Sequence, residues 1–220
     1  QLKNNLKPDF PENFMFGVAT SSYQTEGNNI NSNFTQWEIK NSLEPTGKAC
    51  NSWEKFDEDL DALRFIKADS YRFSIEWSRI EPSMNNYQID IIKEYRRRIL
   101  LLRKYNIEPI VTLIHFSLPN WVSKKGGYLN PNFSNYYSKY VDLVHSYLYS
   151  DVTYWVTFNE AMLDLIHSYI LGRRPPQQKW KYSNFNIAIK TIANSHIQVY
   201  HIIKKRRNNS EIGISENVFL

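Results

Sequence analysis

Val152-Thr-Tyr-Trp-Val-Thr-Phe-Asn-Glu160 is a β-branched and aromatic run of the length of a buried strand, and it stops abruptly on Asn159 and Glu160. A carboxylate at the end of an apolar strand needs solvent, a ligand or a partner charge there, because an isolated ion is too costly to bury. Two earlier runs have the same make-up. Ser70-Tyr-Arg-Phe-Ser-Ile-Glu-Trp77 carries Arg72 and Glu76, and Pro109-Ile-Val-Thr-Leu-Ile-His-Phe116 carries His115. Three strands that deliver polar groups toward one rim describe a site. In a parallel α/β barrel the C-terminal strand ends are where chemistry is placed.

The segments between these runs have helical periodicity. Trp53, Phe56, Leu60, Leu63 and Ile66 recur at helical spacing, with acids on the opposite face. Further helices are predicted from Asp90, as a cap, to Tyr105, then over Ser134–Tyr149, Met162–Leu171 and Phe185–Lys205. A first strand is read in Phe14–Gln24, changing character at Thr20 and ending on Gln24 and Glu26, and another begins at Glu211. Residues 1–10 read as a loose lead-in, and Asn28–Asn51, rich in Asn, Ser and Gly, as a long loop. Strands alternating with helices of this length imply right-handed βαβ units and a parallel sheet. About five strands are present, whereas a closed barrel needs eight, and an open arc leaves edge strands unpaired. The expected architecture is therefore α/β, the first five or so units of a TIM (β/α)8 barrel. No linker signature divides residues 1–220, so one domain is expected.

Hydrophobic content of 42% and charged content of 22% in 220 residues are those of a soluble globular chain able to bury a sizeable core. Much of the net charge of +5 comes from Arg96-Arg97-Arg98 and Lys204-Lys205-Arg206-Arg207. These read as solvated helix faces, and with no accompanying motif a nucleic-acid partner is not expected. No apolar run approaches the ~18 residues needed to span a bilayer, so no membrane partner is expected either. Cys50 is the only cysteine, which precludes an intrachain disulfide and fits a reducing, cytoplasmic compartment. No spacing of His, Cys and acidic residues suggests a metal site. Trp37, Trp53, Trp77 and Trp155 are expected to pack in core or loops.

The combination of motifs is more specific than any one of them. Phe14-Met-Phe-Gly-Val-Ala-Thr-Ser-Ser-Tyr-Gln-Thr-Glu-Gly27 resembles the amino-terminal signature of glycoside hydrolase family 1, the β-glucosidase and β-galactosidase family. Tyr71-Arg-Phe-Ser-Ile-Glu-Trp-Ser-Arg-Ile-Glu-Pro82 resembles its second-strand motif, Thr112-Leu-Ile-His-Phe-Ser-Leu-Pro-Asn-Trp121 its third, and Thr157-Phe-Asn-Glu160 its fourth. The resemblance implies that Glu160 is the general acid/base, which protonates the departing glycosidic oxygen and later deprotonates water. It implies that Asn159 binds the sugar 2-hydroxyl and that Gln24 and His115 bind other hydroxyls, amide and imidazole both being able to donate and accept. Arg72 matches the arginine that holds the nucleophile ionised. Trp121 is expected in the pocket wall. A structural ion pair with Arg72, on the same face of the strand, is an alternative reading of Glu76, which is left out of the site. No cofactor is implied, and the partner is a small-molecule or oligosaccharide β-glycoside.

Some positions depart from the family pattern. Ala161 stands where Pro is usual, Phe116 where Trp is commoner, Ser117 where Asp is commoner and Ser52 where His is frequent. The larger departure concerns the second carboxylate, about 5–5.5 Å from the first, that a retaining mechanism requires. In the family it lies on the seventh strand in an Ile-Thr-Glu-Asn-Gly motif. Ile214-Ser-Glu-Asn-Val218 superficially resembles that motif but follows Glu160 by only about 55 residues, at the fifth strand, and lacks the Gly. Glu216 is accordingly expected to be a rim residue. The expectation is a retaining β-glycosidase of β-D-glucosides or galactosides, truncated before its nucleophile and inactive alone. The alternatives are a non-catalytic sugar-binding remnant and, in the complete protein, a 6-phospho-β-glycosidase.

Overall fold

The computed structural model describes residues 10–217, so most of the expected lead-in and Val218 lie outside it. Five strands, β1 (Gly17–Ala19), β2 (Ser70–Ser74), β3 (Glu108–Thr112), β4 (Tyr154–Asn159) and β5 (Glu211–Ser215), form one sheet. They are ordered β1-β2-β3-β4-β5 and all pair in parallel. Consecutive order without reversal is the winding of a barrel, whereas a doubly wound sheet reverses at a switch point. Among the described residues β1 and β5 each pair on one side only, and Val18 and Ile214 on them are exposed.

The core lies between the sheet and the helices that return across it. In α5 (Ile89–Lys104), Ile92, Tyr95, Ile99 and Leu102 are all fully buried, the i, i+3, i+7, i+10 stripe of an amphipathic helix. α7 (Phe133–Leu148) buries Tyr137, Tyr140, Val141 and Val144 in the same way, and α9 (Tyr182–Arg206) buries Ala188, Ile192, Val199 and Ile203. Each large apolar side chain so placed contributes about 1.5–3 kcal/mol. Trp77, in the short α4 (Trp77–Ile80), sits at the centre, stacked on Tyr140 with ring centroids 4.8 Å apart. Trp155 is buried on β4.

Several local expectations are corrected. The chain leaves β1 at Ala19 and turns into a short helix, α1 (Ser22–Thr25), so Gln24 is not at a strand end. The predicted loop over Asn28–Asn51 contains α2 (Asn33–Lys40), capped by the Ser32 hydroxyl. Asn33 anchors it to the loop after β3: its N–H donates to Leu118 O at 2.9 Å and its Oδ1 accepts from Leu118 N at 2.8 Å. In α3 (Phe56–Phe65) the apolar stripe ends before Ile66, which is exposed. Asp90 does not cap α5; Gln88 holds that position without a side-chain bond, and Asp90 pairs with Lys93 in the first turn. The predicted helix after Glu160 is α8 (Ala161–Leu165), continued as a π-helical turn over Ile166–Ile170.

The basic runs are largely taken up within the chain. Arg96 pairs with Asp151, Arg97 and Arg98 with Glu94, and Arg206 with Asp142, while Arg207 donates to the carbonyls of Tyr149 and Val152. Among the described residues no helix is long and apolar enough to cross a membrane, and no group of His, Cys, Asp and Glu is arranged to hold a metal ion.

Candidate functional site

Parallel pairing carries the chain ends of β2, β3 and β4 to one rim, where three of the singled-out side chains meet. Arg72 Nη1 donates to Asn159 Oδ1 at 2.9 Å, and the Asn159 amide lies 3.3 Å from His115 Nε2. A guanidinium can only donate, so the asparagine oxygen must face Arg72 and its NH2 must face the imidazole. Nε2 then accepts, and the imidazole is neutral with its proton on Nδ1. Burial, reinforced by Arg72 and Arg174, pushes the His115 pKa down to about 4, which agrees with that tautomer. Nδ1 is buried, closed off from solvent, and has no hydrogen-bond partner among the described residues.

Because the folded pKa is depressed, the contribution of His115 to stability is lost as pH falls from 6.5 through about 4. A 15N NMR titration is expected to show His115 neutral and Nδ1-protonated at pH 6, with a midpoint near 4. A midpoint near 6.5 would contradict the hydrogen-bond direction deduced from Arg72.

Glu160 follows directly. Its backbone is left-handed, φ 45° and ψ 50°, a conformation that costs a residue with a Cβ about 1–3 kcal/mol. Two bonds hold it there: its N–H donates to Ser215 O on β5 at 2.6 Å, and its carbonyl accepts from Asp164 N at 3.0 Å. The half-buried carboxylate itself makes no hydrogen bond or ion pair among the described residues. Arg72 likewise has no carboxylate beside it among those residues. Glu216, exposed at the end of β5, accepts from Met162 N with both oxygens at 3.4 Å.

Beside His115 opens a cleft of about 360 Å3, lined among others by Tyr23, Gln24, Phe34, Phe116 and Arg174. Gln24 is exposed toward it and accepts from the Ser21 hydroxyl. Trp121 does not line this cleft. On α6 (Asn120–Lys124), its indole N–H donates to Glu81 O at 3.0 Å and its ring packs edge-on against Trp77 and Tyr136.

Arg72 and Glu76 form no ion pair with each other among the described residues. Glu76 is buried and accepts from the hydroxyls of Ser22 at 2.8 Å, Ser78 at 2.6 Å and Ser117 at 2.9 Å. It thereby joins the segments after β1, β2 and β3, two residues from Gln24 on one side and two from His115 on the other. Its partners come from separate parts of the chain, so nothing in its own motif marks this role. Arg174, in the loop after the π-helical turn, gave no sequence signal.

A family model for glycosyl hydrolase family 1 matches residues 6–219. The chain belongs to glycosyl hydrolase family 1. Myrosinase 1 of Brevicoryne brassicae is 32% identical over 94% of this chain and 47% of its own length. Human lactase/phlorizin hydrolase is 34% identical over 93% of this chain, which covers 11% of that protein. Among solved structures, a β-glycosidase from Pyrococcus horikoshii superposes with a TM-score of 0.87 at 34% identity, covering 95% of this chain and 48% of that one. The Thermotoga maritima β-glucosidase in complex with castanospermine gives 0.90 at 26% identity, covering 95% and 50%. The chain thus spans about half the length of the family 1 myrosinase and β-glucosidases it matches, and its five strands match part of the family's TIM barrel.

Proposed function

We propose that this chain carries the acid/base half of a retaining β-glycosidase site acting on β-D-glucosides or galactosides. The observation that carries the reading is the Arg72–Asn159–His115 chain of hydrogen bonds followed in sequence by Glu160, whose backbone is held in place and whose carboxylate makes no bond among the described residues. Asn159 uses one amide N–H on His115 and keeps the second for the sugar 2-hydroxyl, where the contact can strengthen as the oxocarbenium-like transition state forms. His115 and Gln24 serve other hydroxyls. Glu160 gives its proton to the glycosidic oxygen as the aglycone leaves, then takes one from the water that releases the sugar.

The nucleophile in this reading is a second carboxylate supplied from outside these residues and docked on Arg72. Two observations support that: Arg72 has no carboxylate beside it among the described residues, and Glu216 is engaged at Met162 N. The chain alone is then expected to bind sugars without turning them over.

The test is hydrolysis of 4-nitrophenyl β-D-glucoside and β-D-galactoside by the purified, folded chain, with glucoimidazole binding measured alongside. No turnover is expected, with glucoimidazole bound and its affinity lowered roughly tenfold or more in Asn159→Ala. Turnover abolished by Glu160→Gln would overturn the external nucleophile and make Glu216 the first suspect. A folded chain that neither binds nor turns over would overturn the sugar site itself.

A further inference from the structure

The cleft beside His115 holds a cation for which the proposed chemistry has no use. Arg174 lays its guanidinium over the Phe116 ring, 4.4 Å from the centroid, and lines the same cleft as Gln24 and His115. Its carboxylate neighbour, Asp164, is 3.6 Å away, at the outer edge of hydrogen-bond reach. Two other partly buried arginines of this chain are more fully engaged by comparison. Arg79 reaches Glu26 at 3.2 Å and Gly27 O at 2.6 Å, and Arg98 reaches Glu94 at 2.9 Å and Trp53 O at 2.6 Å. No backbone or side-chain acceptor among the described residues meets Arg174 Nε or Nη2.

The surroundings leave that charge poorly balanced. No carboxylate lines the cleft, and His115 there is neutral. Asp164 is buried, and burial pushes its carboxyl up to about 7 against the pull of Arg174, so near neutral pH it is an incomplete counter-ion. The Phe116 ring covers one face of the guanidinium, and with Nη1 buried beside Asp164 the in-plane pair left is Nε and Nη2, a fork that matches a carboxylate, sulfate or phosphate. We propose that Arg174 reads an anionic substituent on the glycoside, so that this cleft takes acidic β-glycosides. The inference rests on the sugar-binding role proposed for Gln24, His115 and Asn159.

Calorimetric titration of the chain with three probes tests it. These are phenyl β-D-glucopyranoside, its 4-carboxy derivative, which carries the charge on the aglycone, and its 6-phosphate, which carries the charge on the sugar. At least one acidic probe is expected to bind roughly tenfold tighter than the neutral one, a preference that shrinks with added salt. Which probe gains tells on which side of the glycosidic bond the charge is read. Arg174→Gln is expected to bring the ratio toward one. Asp164→Asn, which keeps the guanidinium and removes its competing carboxylate, is expected to raise the ratio, and it carries the test if Arg174→Gln does not fold. Equal affinity for all three probes, or a preference that survives Arg174→Gln, would overturn the inference and leave the sugar site standing. Failure of a folded chain to bind any probe would overturn the sugar site, and this inference with it.

Discussion

Replacing Glu76 by alanine is expected to lower the stability of the chain by about 3–5 kcal/mol and to weaken glycoside binding in the protein that remains folded. The carboxylate is 1% exposed and accepts from three serine hydroxyls. Truncation strips all three donors of their acceptor in a space little open to water, and leaving a buried donor unsatisfied costs about 1–3 kcal/mol. The binding effect follows from connectivity. Ser22 lies two residues before Gln24 and Ser117 two residues after His115, so Glu76 fixes the spacing between two of the proposed sugar ligands. Glu76→Gln keeps one good acceptor and is expected to cost less, about 1–2 kcal/mol. Urea unfolding with glucoimidazole titration reads both effects. An unchanged unfolding midpoint in Glu76→Ala would refute the structural role, and unchanged affinity would refute the positioning role.

The second large effect is expected at Glu26, close behind the site. Tyr95 donates its hydroxyl to this carboxylate at 2.6 Å, and Arg79 Nε lies 3.2 Å away. Arg79 and Arg98 both stack on Trp53, 4.2 and 4.3 Å from its ring. Glu26→Ala leaves Arg79, largely buried, facing no carboxylate, and breaking such a pair by removing one member costs about 3–5 kcal/mol.

The pH dependence separates two accounts of this pair. Burial pushes the Glu26 carboxyl from its ordinary 4.5 up to about 7, with Arg79 and the Tyr95 hydroxyl pulling the other way. A carboxyl raised on folding holds more protons in the folded state, so its contribution to stability falls as pH rises between those two values. Glu26→Gln cannot ionise and lacks that slope. Its stability deficit relative to the unaltered chain is therefore expected to be largest near pH 5 and to narrow toward pH 8, measured by urea midpoints across the range. A deficit that widens with pH would mean the Glu26–Arg79 attraction outweighs burial and the pair is ionised throughout.

The amino-acid sequence determined the alternation of elements and the direction of the sheet. Runs such as Val152–Asn159 are apolar on both faces, which only a strand covered on both sides tolerates, and helical stripes such as Ile92-Tyr95-Ile99-Leu102 separate them. Register along parallel strands then brings strand ends together, which is why Arg72, His115 and Asn159, from three motifs, meet in the fold. What lies in the connections was decided only in three dimensions. α2 hides in a stretch that reads as loop because its anchor, Leu118, is 85 residues away. Glu76 stands close in sequence to Arg72, yet its serine partners Ser22 and Ser117 lie 54 and 41 residues off, so it binds hydroxyls rather than the guanidinium. Trp121 belongs to the packing around Trp77 and not to the cleft, and Arg174 comes to the cleft from a distant loop and lies over the Phe116 ring. Periodicity is a local property and can be read along the chain; where a loop side chain finds its partner depends on distant segments whose positions the packed sheet and helices set.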